Sequence, residues 1–209
     1  MGASVKRVGV AVLLMAGACA TPHQIVDRSD FLAEATRTYA GETRERVIAA
    51  AETVLKISDP TDFEFRHTMN GFTALRRYVV YAVIASAQGR EKWEFQVEAE
   101  GDRLRASVSI SEAGVSHGGN SSTPYEGRMA SVPLYRLFWA RVDYVLGKRS
   151  DWLTCDVAAE QAKANNTNAA IALSGLCGAT SDGRDAPPPP QMEPVKHSPP
   201  AAASKQSRQ

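Results

Sequence analysis

Residues 93–110, WEFQVEAEGDRLRASVSI, alternate apolar and polar side chains on both sides of Gly101-Asp102. This period of two is typical of strands with one buried face, and a glycine-containing dipeptide between two such runs predicts a hairpin. A two-residue turn at Gly101-Asp102 places Trp93 opposite Ile110 on one face of the hairpin. On the other face it places Glu98 opposite Arg105. Because one register suits both faces, the stretch predicts an antiparallel hairpin at the centre of the fold.

Further strands and two helices are predicted around this hairpin. Residues 63–69 alternate up to the hairpin dipeptide Asn70-Gly71, and β-branched and aromatic residues in 74–87 favour a buried strand over a buried helix. Residues 42–57 and 133–146 instead place apolar side chains on one face with the period of an α-helix. Both apolar faces must be buried on the sheet. The sequence therefore predicts an α+β fold, a two-layer sandwich in which an antiparallel meander is covered by an N-terminal and a C-terminal helix.

The two ends of the chain differ in composition from its middle. All 15 aromatic residues lie within 31–152, whereas seven of the 11 prolines lie within 187–200. A proline-rich segment without aromatic residues has too little apolar surface to offset the entropy lost on ordering. We therefore predict one globular domain over 30–178 and a disordered tail over 179–209. A chain ending at Ser181 should then melt within about 2 °C of the mature protein.

The overall charge argues against one class of function. The 24 basic and 23 acidic residues give a formal net charge of +1. A nucleic-acid-binding domain instead carries a basic excess on one face. We therefore predict no nucleic-acid partner.

The N-terminus has the three parts of a secretory signal peptide. Residues 6–7 are basic, residues 8–15 form an apolar run too short to cross a bilayer, and small residues follow. Those small residues, Ala16-Gly17-Ala18, stand directly before Cys19. The segment resembles the lipobox of bacterial lipoprotein precursors, in which the cysteine is lipidated and becomes the first residue, although Ala16 stands where that family usually has leucine. The alternative is an ordinary secretory peptide, cleaved beside an unmodified Cys19.

The resemblance implies a membrane anchor and a location. Residues 1–18 would be removed, residues 19–29 would form a tether, and acyl chains on Cys19 would hold the protein to the membrane. In that family a residue other than aspartate after the cysteine favours the outer membrane, and here this residue is Ala20. We therefore expect a lipoprotein on the periplasmic face of the bacterial outer membrane. The predicted layout also resembles, in layout only, the helix-grip domains of accessory lipoproteins of the outer-membrane β-barrel assembly machine.

The remaining cysteines agree with export. If Cys19 is lipidated, Cys155 and Cys177 are left as a pair, and an even number of thiols in an oxidising compartment favours a disulfide. Neither has a second cysteine or a histidine nearby in the sequence with which to complete a tetrahedral metal site. We predict a Cys155–Cys177 disulfide, with a metal site or two free thiols as the weaker alternatives.

One motif raises the question of catalysis. Residues 114–118, GVSHG, match the G-x-S-x-G pattern of a hydrolase nucleophile elbow, which requires a strand before the serine and a helix after it. Glycine, serine and proline follow instead, and the sequence holds no H-E-x-x-H zinc motif and no phosphate-binding P-loop. We therefore predict that 112–131 is a long surface loop, and we predict no catalytic, cofactor or metal site.

These observations leave three functional hypotheses. The first is a non-enzymatic adaptor or assembly factor of the cell envelope, with the membrane and envelope proteins as partners. The alternative is a small-molecule or lipid-binding protein with a cavity between the sheet and the second helix, lined by Trp93, Phe95, Phe138 and Trp139. The third is a serine hydrolase that uses Ser116. A cavity larger than about 300 Å³ would favour binding, and a filled interface with an exposed apolar patch would favour an adaptor.

Overall fold

A computed structural model describes residues 27–59, 63–82, 85–164, 172–177, 185 and 187–195. Within them lie five helices and six strands, numbered in chain order. The helices are α1 (Arg28–Glu34), α2 (Arg44–Ser58), α3 (Val132–Val145), α4 (Cys155–Ala164) and α5 (Ser174–Cys177). The strands are β1 (Thr36–Ala40), β2 (Phe63–Thr68), β3 (Gly71–Ala82), β4 (Ala85–Glu100), β5 (Arg103–Gly118) and β6 (Ser121–Arg128).

The strands form one antiparallel sheet in the order β1-β5-β4-β3-β2, and β6 pairs with the far half of β5. The predicted register of the central hairpin is confirmed, since Trp93 lies opposite Ile110 and Glu98 lies opposite Arg105. β4 and β5 are each 16 residues long, so both strands run well beyond the stretch whose alternation predicts them. The predicted α+β class is confirmed.

The hydrophobic core lies between one face of the sheet and the helices α2 and α3. α2 begins at Arg44 rather than at Glu42, because the Thr43 side chain caps it by accepting a hydrogen bond from the N–H of Arg46. Its buried residues are Val47, Ala50, Ala51, Val54, Leu55 and Ser58. The Phe138 ring of α3 lies 5.3 Å from the Trp93 ring on β4, measured between ring centres. Aromatic contacts of this kind join the two layers of the sandwich.

The N-terminal helix α1 and strand β1 are not predicted from the sequence. Asp27 caps α1 by accepting a hydrogen bond from the N–H of Ser29 at 2.7 Å. Phe31 then packs edge-on against Tyr135 of α3, with ring centres 5.1 Å apart. With seven and five residues, both elements are too short for their periodicity to stand out.

The prediction of a surface loop over 112–131 is wrong. β5 continues to Gly118, the chain turns at Gly119, whose φ is +56°, and β6 returns along β5. Most residues of this segment are small, so it lacks the alternation of apolar and polar residues that identifies a strand. The dipeptide Gly119-Asn120 is the hairpin signal that could have identified it. The single strand predicted over 74–87 is likewise two strands, because β3 ends at Ala82 and β4 begins at Ala85.

Part of the proline-rich tail lies against the domain. Asp185 accepts a hydrogen bond from Arg141 at 2.7 Å, and the N–H of Met192 donates to the carbonyl of Val145 at 2.8 Å. The last carbonyls of a helix have no donor within the helix, and the tail supplies one at the end of α3. The structure differs here from the disorder predicted for 179–209. The other parts of that range lie outside the described residues.

Candidate functional site

Among the residues that the structure describes, the sheet extends beyond the helices that cover its core face. Alternate residues of a strand share a face, so the face that carries the fully buried Trp93 and Ile110 continues along β4, β5 and β6 into smaller, more exposed residues. We call this surface the trough, and its floor consists of Ala85, Ala87, Ser116, Gly118, Ser121 and Thr123. With Ser86 and His117 they line an open cavity of about 340 Å³. The floor offers methyl groups, hydroxyl groups and closely accessible main chain, without a charged side chain.

A pair of tyrosines closes the inner end of the trough. Tyr78, Gly89, Gly114 and Tyr125 form one row across β3, β4, β5 and β6. The phenol oxygens of the two tyrosines meet in a hydrogen bond above the two glycines. Glycine in a strand often marks a place where another group approaches the backbone closely, and here the approaching groups are tyrosine side chains.

Replacing Gly114 with alanine is expected to lower the free energy of unfolding by about 1–3 kcal/mol, because the new methyl group would overlap the Tyr125 hydroxyl and the main-chain oxygen of Gln88. Chemical denaturation measures the loss. Gly127→Ala is the matched control on the same sheet, since nothing lies within 4 Å of a methyl group there. Equal effects of the two substitutions would contradict this description of the tyrosine row.

Glu112 lies next to the tyrosine pair and opposite Glu91 of β4. Partial burial raises the pKa of the Glu112 carboxyl above its usual range, and the charge of Glu91 raises it further. The Tyr78 hydroxyl, 3.4 Å away, opposes the shift by donating a hydrogen bond to the carboxylate. The ionised form of Glu112 is therefore less favourable in the folded protein than in the unfolded chain.

A raised pKa in the folded state means that ionised Glu112 destabilises the protein at neutral pH. This cost declines as the pH falls through the folded-state pKa and is gone only below the pKa of the unfolded chain. Glu112→Gln should therefore raise the free energy of unfolding at pH 7, and with it the melting temperature. The gain should be less than about 1 kcal/mol, because solvent screens this half-buried group. The gain should shrink as the pH falls toward 4, because protonation of Glu112 removes the unfavourable charge. Melting curves of both proteins across this pH range check the sign, and a gain that grows on acidification would contradict it.

A buried ionic cluster separates the trough from the core. Arg76 of β3 donates a hydrogen bond to Glu91 at 2.6 Å and lies 3.7 Å from Asp59, and all three residues are at most 6% exposed. The indole N–H of Trp93 donates to the second carboxylate oxygen of Glu91. Buried charges are tolerated when they are paired and hydrogen-bonded in this way. The sequence gives no local sign of the cluster, because its members come from three separate elements.

The G-x-S-x-G motif does not form a nucleophile elbow. All of 114–118 lies inside β5, and Ser116 donates a hydrogen bond to the carbonyl of Thr123 at 3.3 Å. The neighbouring His117 points to the other face of the sheet, where its ring contacts the Ser122 hydroxyl at 2.8 Å. Within the part of the chain that the structure describes, neither a histidine nor a carboxylate is hydrogen-bonded to Ser116. His197 lies outside the described residues.

The four large side chains expected to line a cavity between sheet and helix instead fill that interface. Each is at most 1% exposed: Trp93, Phe95, Phe138 and Trp139. The Phe138 ring centre lies 6.1 Å from that of Phe95 and 5.1 Å from that of Trp139. The cavity of about 340 Å³ described above lies on the trough, away from these residues.

The structure joins Cys155 and Cys177 in a disulfide bond, with their Cα atoms 5.7 Å apart. Arg141 of α3, only 2% exposed, connects this bond to the rest of the domain. Its guanidinium donates to the carbonyl of Leu153 at 3.1 Å and to Asp185, and Asp185 also accepts from the N–H of Cys155. The disulfide and the tail are thereby held at the same point of the domain.

The remaining site predictions concern the N-terminus. Cys19 and residues 1–18 lie outside the described residues, so lipidation stays a prediction. Among the helices of the described ranges, none combines the length and apolar character that a bilayer span requires. Across the same residues, no group of three histidine, cysteine or carboxylate side chains lies close enough together to ligate a metal ion.

Comparison of the chain with protein-family models, curated proteins and solved structures found no match.

Proposed function

We propose that this protein is a lipid-anchored adaptor of the bacterial cell envelope that binds a neutral segment of a partner protein in the trough. The observation that carries the proposal is that the sheet extends past its helices and presents a floor of small residues on its core face. Small side chains let another polypeptide approach the main chain closely. The hydroxyl oxygens of Ser116, Ser121 and Thr123 offer hydrogen-bond acceptors, while the Ser116 and Ser121 protons are donated to main-chain carbonyls of the sheet. The filled sheet–helix interface supports the choice of the trough over the domain interior as the binding surface.

The anchor is tested by metabolic labelling with a radioactive fatty acid. The parent protein should incorporate the label and Cys19→Ser should not, because only a thiol at the lipobox position receives the acyl chain. Membrane fractionation of the same strains separates anchoring from expression level. A Cys19→Ser protein that labels as strongly as the parent would overturn the anchor and leave the trough proposal standing.

The trough is tested by site-specific photo-cross-linking in intact cells. A photoreactive residue in place of Thr123, on the trough face of β6, should give one adduct of defined mass. The same residue in place of Glu126, which is exposed on the opposite face of β6, should not. Ala87→Trp should abolish the adduct by filling the floor. Equal adducts from both positions, or an adduct that survives Ala87→Trp, would contradict the proposal.

A small-molecule-binding protein is the second candidate, and one observation favours it. The cavity on the trough measures about 340 Å³, which lies within the range of ligand pockets, about 300–1,000 Å³. The hydroxyl pair Tyr78 and Tyr125 at its inner end could orient a polar group. Native mass spectrometry of the gently purified protein distinguishes the candidates, since a retained small molecule that Ala87→Trp removes would favour this one.

A further inference from the structure

The guanidinium of Arg141 and the carboxylate of Asp185 meet at Cys155, the first residue of α4. The Nη2 atom of Arg141 lies 3.3 Å from the Cys155 sulfur and 2.7 Å from one oxygen of the carboxylate. The N–H of Cys155 donates a hydrogen bond to the other oxygen. One buried guanidinium therefore contacts both the disulfide and the tail.

The charges at this point balance only while the disulfide is intact. A disulfide sulfur is neutral, so the positive charge of Arg141 is matched by the negative charge of Asp185. In the reduced protein, the guanidinium and the N-terminus of α4 both favour the thiolate form of Cys155. That thiolate adds a second negative charge beside the Asp185 carboxylate. Two like charges in a partly buried site repel each other, so only one of them can keep the guanidinium as its partner.

The two anionic groups differ in how firmly their chain segments are held. Cys155 belongs to α4, which buries one face against the core. Asp185 belongs to the proline-rich tail. Among the described residues, the tail donates two further hydrogen bonds to the domain, from the Met192 N–H to the carbonyl of Val145 and from the Gln191 side chain. Since a segment with so little apolar surface is costly to keep ordered, the carboxylate is the group that leaves.

We propose that the Cys155–Cys177 disulfide is a redox switch, and that its reduction by a protein dithiol releases the tail from α3. A thiolate of the dithiol attacks the sulfur of the partly exposed Cys177, the S–S bond breaks, and Cys155 leaves as the thiolate that Arg141 stabilises. The second thiolate of the dithiol attacks the mixed disulfide, which frees Cys177 and leaves the dithiol oxidised to its own disulfide. Of the two protons that the dithiol gives up, one passes to Cys177 and the other to solvent. The switch does not depend on the proposed partner of the trough, so the two can fail separately.

Hydrogen exchange of the full chain in mild detergent tests the switch, with the Met192 amide as the reporter of the docked tail. Its exchange should become at least about 10-fold faster when dithiothreitol reduces the disulfide, while the amides of β4 and β5 stay protected. Asp185→Asn should accelerate the same exchange in the oxidised protein, because it removes the charge that pairs with Arg141. Unchanged exchange of Met192 on reduction would overturn the proposal. Loss of protection throughout β4 and β5 would also overturn it, because the disulfide would then hold the fold rather than the tail.

Two single substitutions separate the effect of charge from the loss of the cross-link, because both abolish the disulfide. Under reducing conditions Cys177→Ser leaves Cys155 as a thiolate beside Arg141, and it should release the tail as reduction of the parent does. Cys155→Ser places a neutral hydroxyl group there, and the Met192 amide should stay as protected as in the oxidised parent. Equal exchange of Met192 in the two variants, whether fast or slow, would overturn the proposal, because the thiolate would then not be the cause of release.

Discussion

Phe138→Ala is expected to lower the free energy of unfolding by about 3–5 kcal/mol, and the melting temperature by roughly 10 °C for a chain of this size. The Phe138 side chain is fully buried, and its ring contacts those of Trp93, Phe95 and Trp139. Removing the ring leaves a cavity between two rigid layers that cannot close around it. Urea denaturation monitored by tryptophan fluorescence measures the loss.

Phe138→Leu is the control for this substitution. Leucine keeps most of the buried volume, so the loss should be less than half of that for alanine. A loss below about 1 kcal/mol for Phe138→Ala would contradict the filled interface, because such a small effect is typical of a loosely packed or exposed site. That result would also restore the hypothesis of a binding cavity between the sheet and α3.

Arg141→Leu is expected to cost about 3–5 kcal/mol, the usual result of removing one partner from a buried ion pair. The substitution removes the only ionic partner that the described residues give the Asp185 carboxylate, which keeps the N–H of Cys155, and it removes the guanidinium donor of the Leu153 carbonyl. Because the Asp185 side chain is partly exposed and solvent screens its charge, we expect the loss to lie nearer about 3 than about 5 kcal/mol. Thermal denaturation of the oxidised protein measures the effect with the disulfide intact.

Truncation provides the matched test of this contact. A chain ending at Ser181 lacks Asp185 and the contact of Met192 with α3. The structure therefore predicts that the melting temperature falls by several degrees, whereas composition alone predicts a change within about 2 °C. In the truncated chain, Arg141→Leu should cost less than in the full chain, because its ionic partner is already absent. Additive losses would mean that Asp185 does not stabilise the protein through Arg141.

The central hairpin could be predicted because its two faces agree independently. In the first strand the apolar residues from Trp93 to Ala99 alternate with acidic or amide residues. In the second strand the apolar residues from Leu104 to Ile110 alternate with arginines and serines, and both patterns require the same pairing. The trough could not be predicted in this way. Along 111–123 nine of the 13 residues are alanine, glycine, serine or threonine, which differ too little in hydropathy to distinguish the two faces of a strand.

The contacts of the tail cannot be predicted from composition, for a different reason. Composition measures how much apolar surface a segment can bury, and by that measure the tail has too little. It does not detect a single carboxylate that pairs with a buried guanidinium 44 residues away. Arg141 itself lies on the apolar stripe of α3, where an unpaired arginine would be costly. That position is the one sign in the sequence that a distant acidic partner exists.

Binding in the trough is tested most directly by measuring the dissociation constant for the purified partner that the cross-linking identifies. Ala87→Trp fills the floor, whereas Gln88→Trp places the same side chain on the opposite, exposed face of β4. We predict that Ala87→Trp raises the dissociation constant at least about 10-fold and that Gln88→Trp leaves it within about two-fold of the parent value. Unchanged binding by Ala87→Trp, or equal weakening by both variants, would contradict the assignment of the trough as the binding surface.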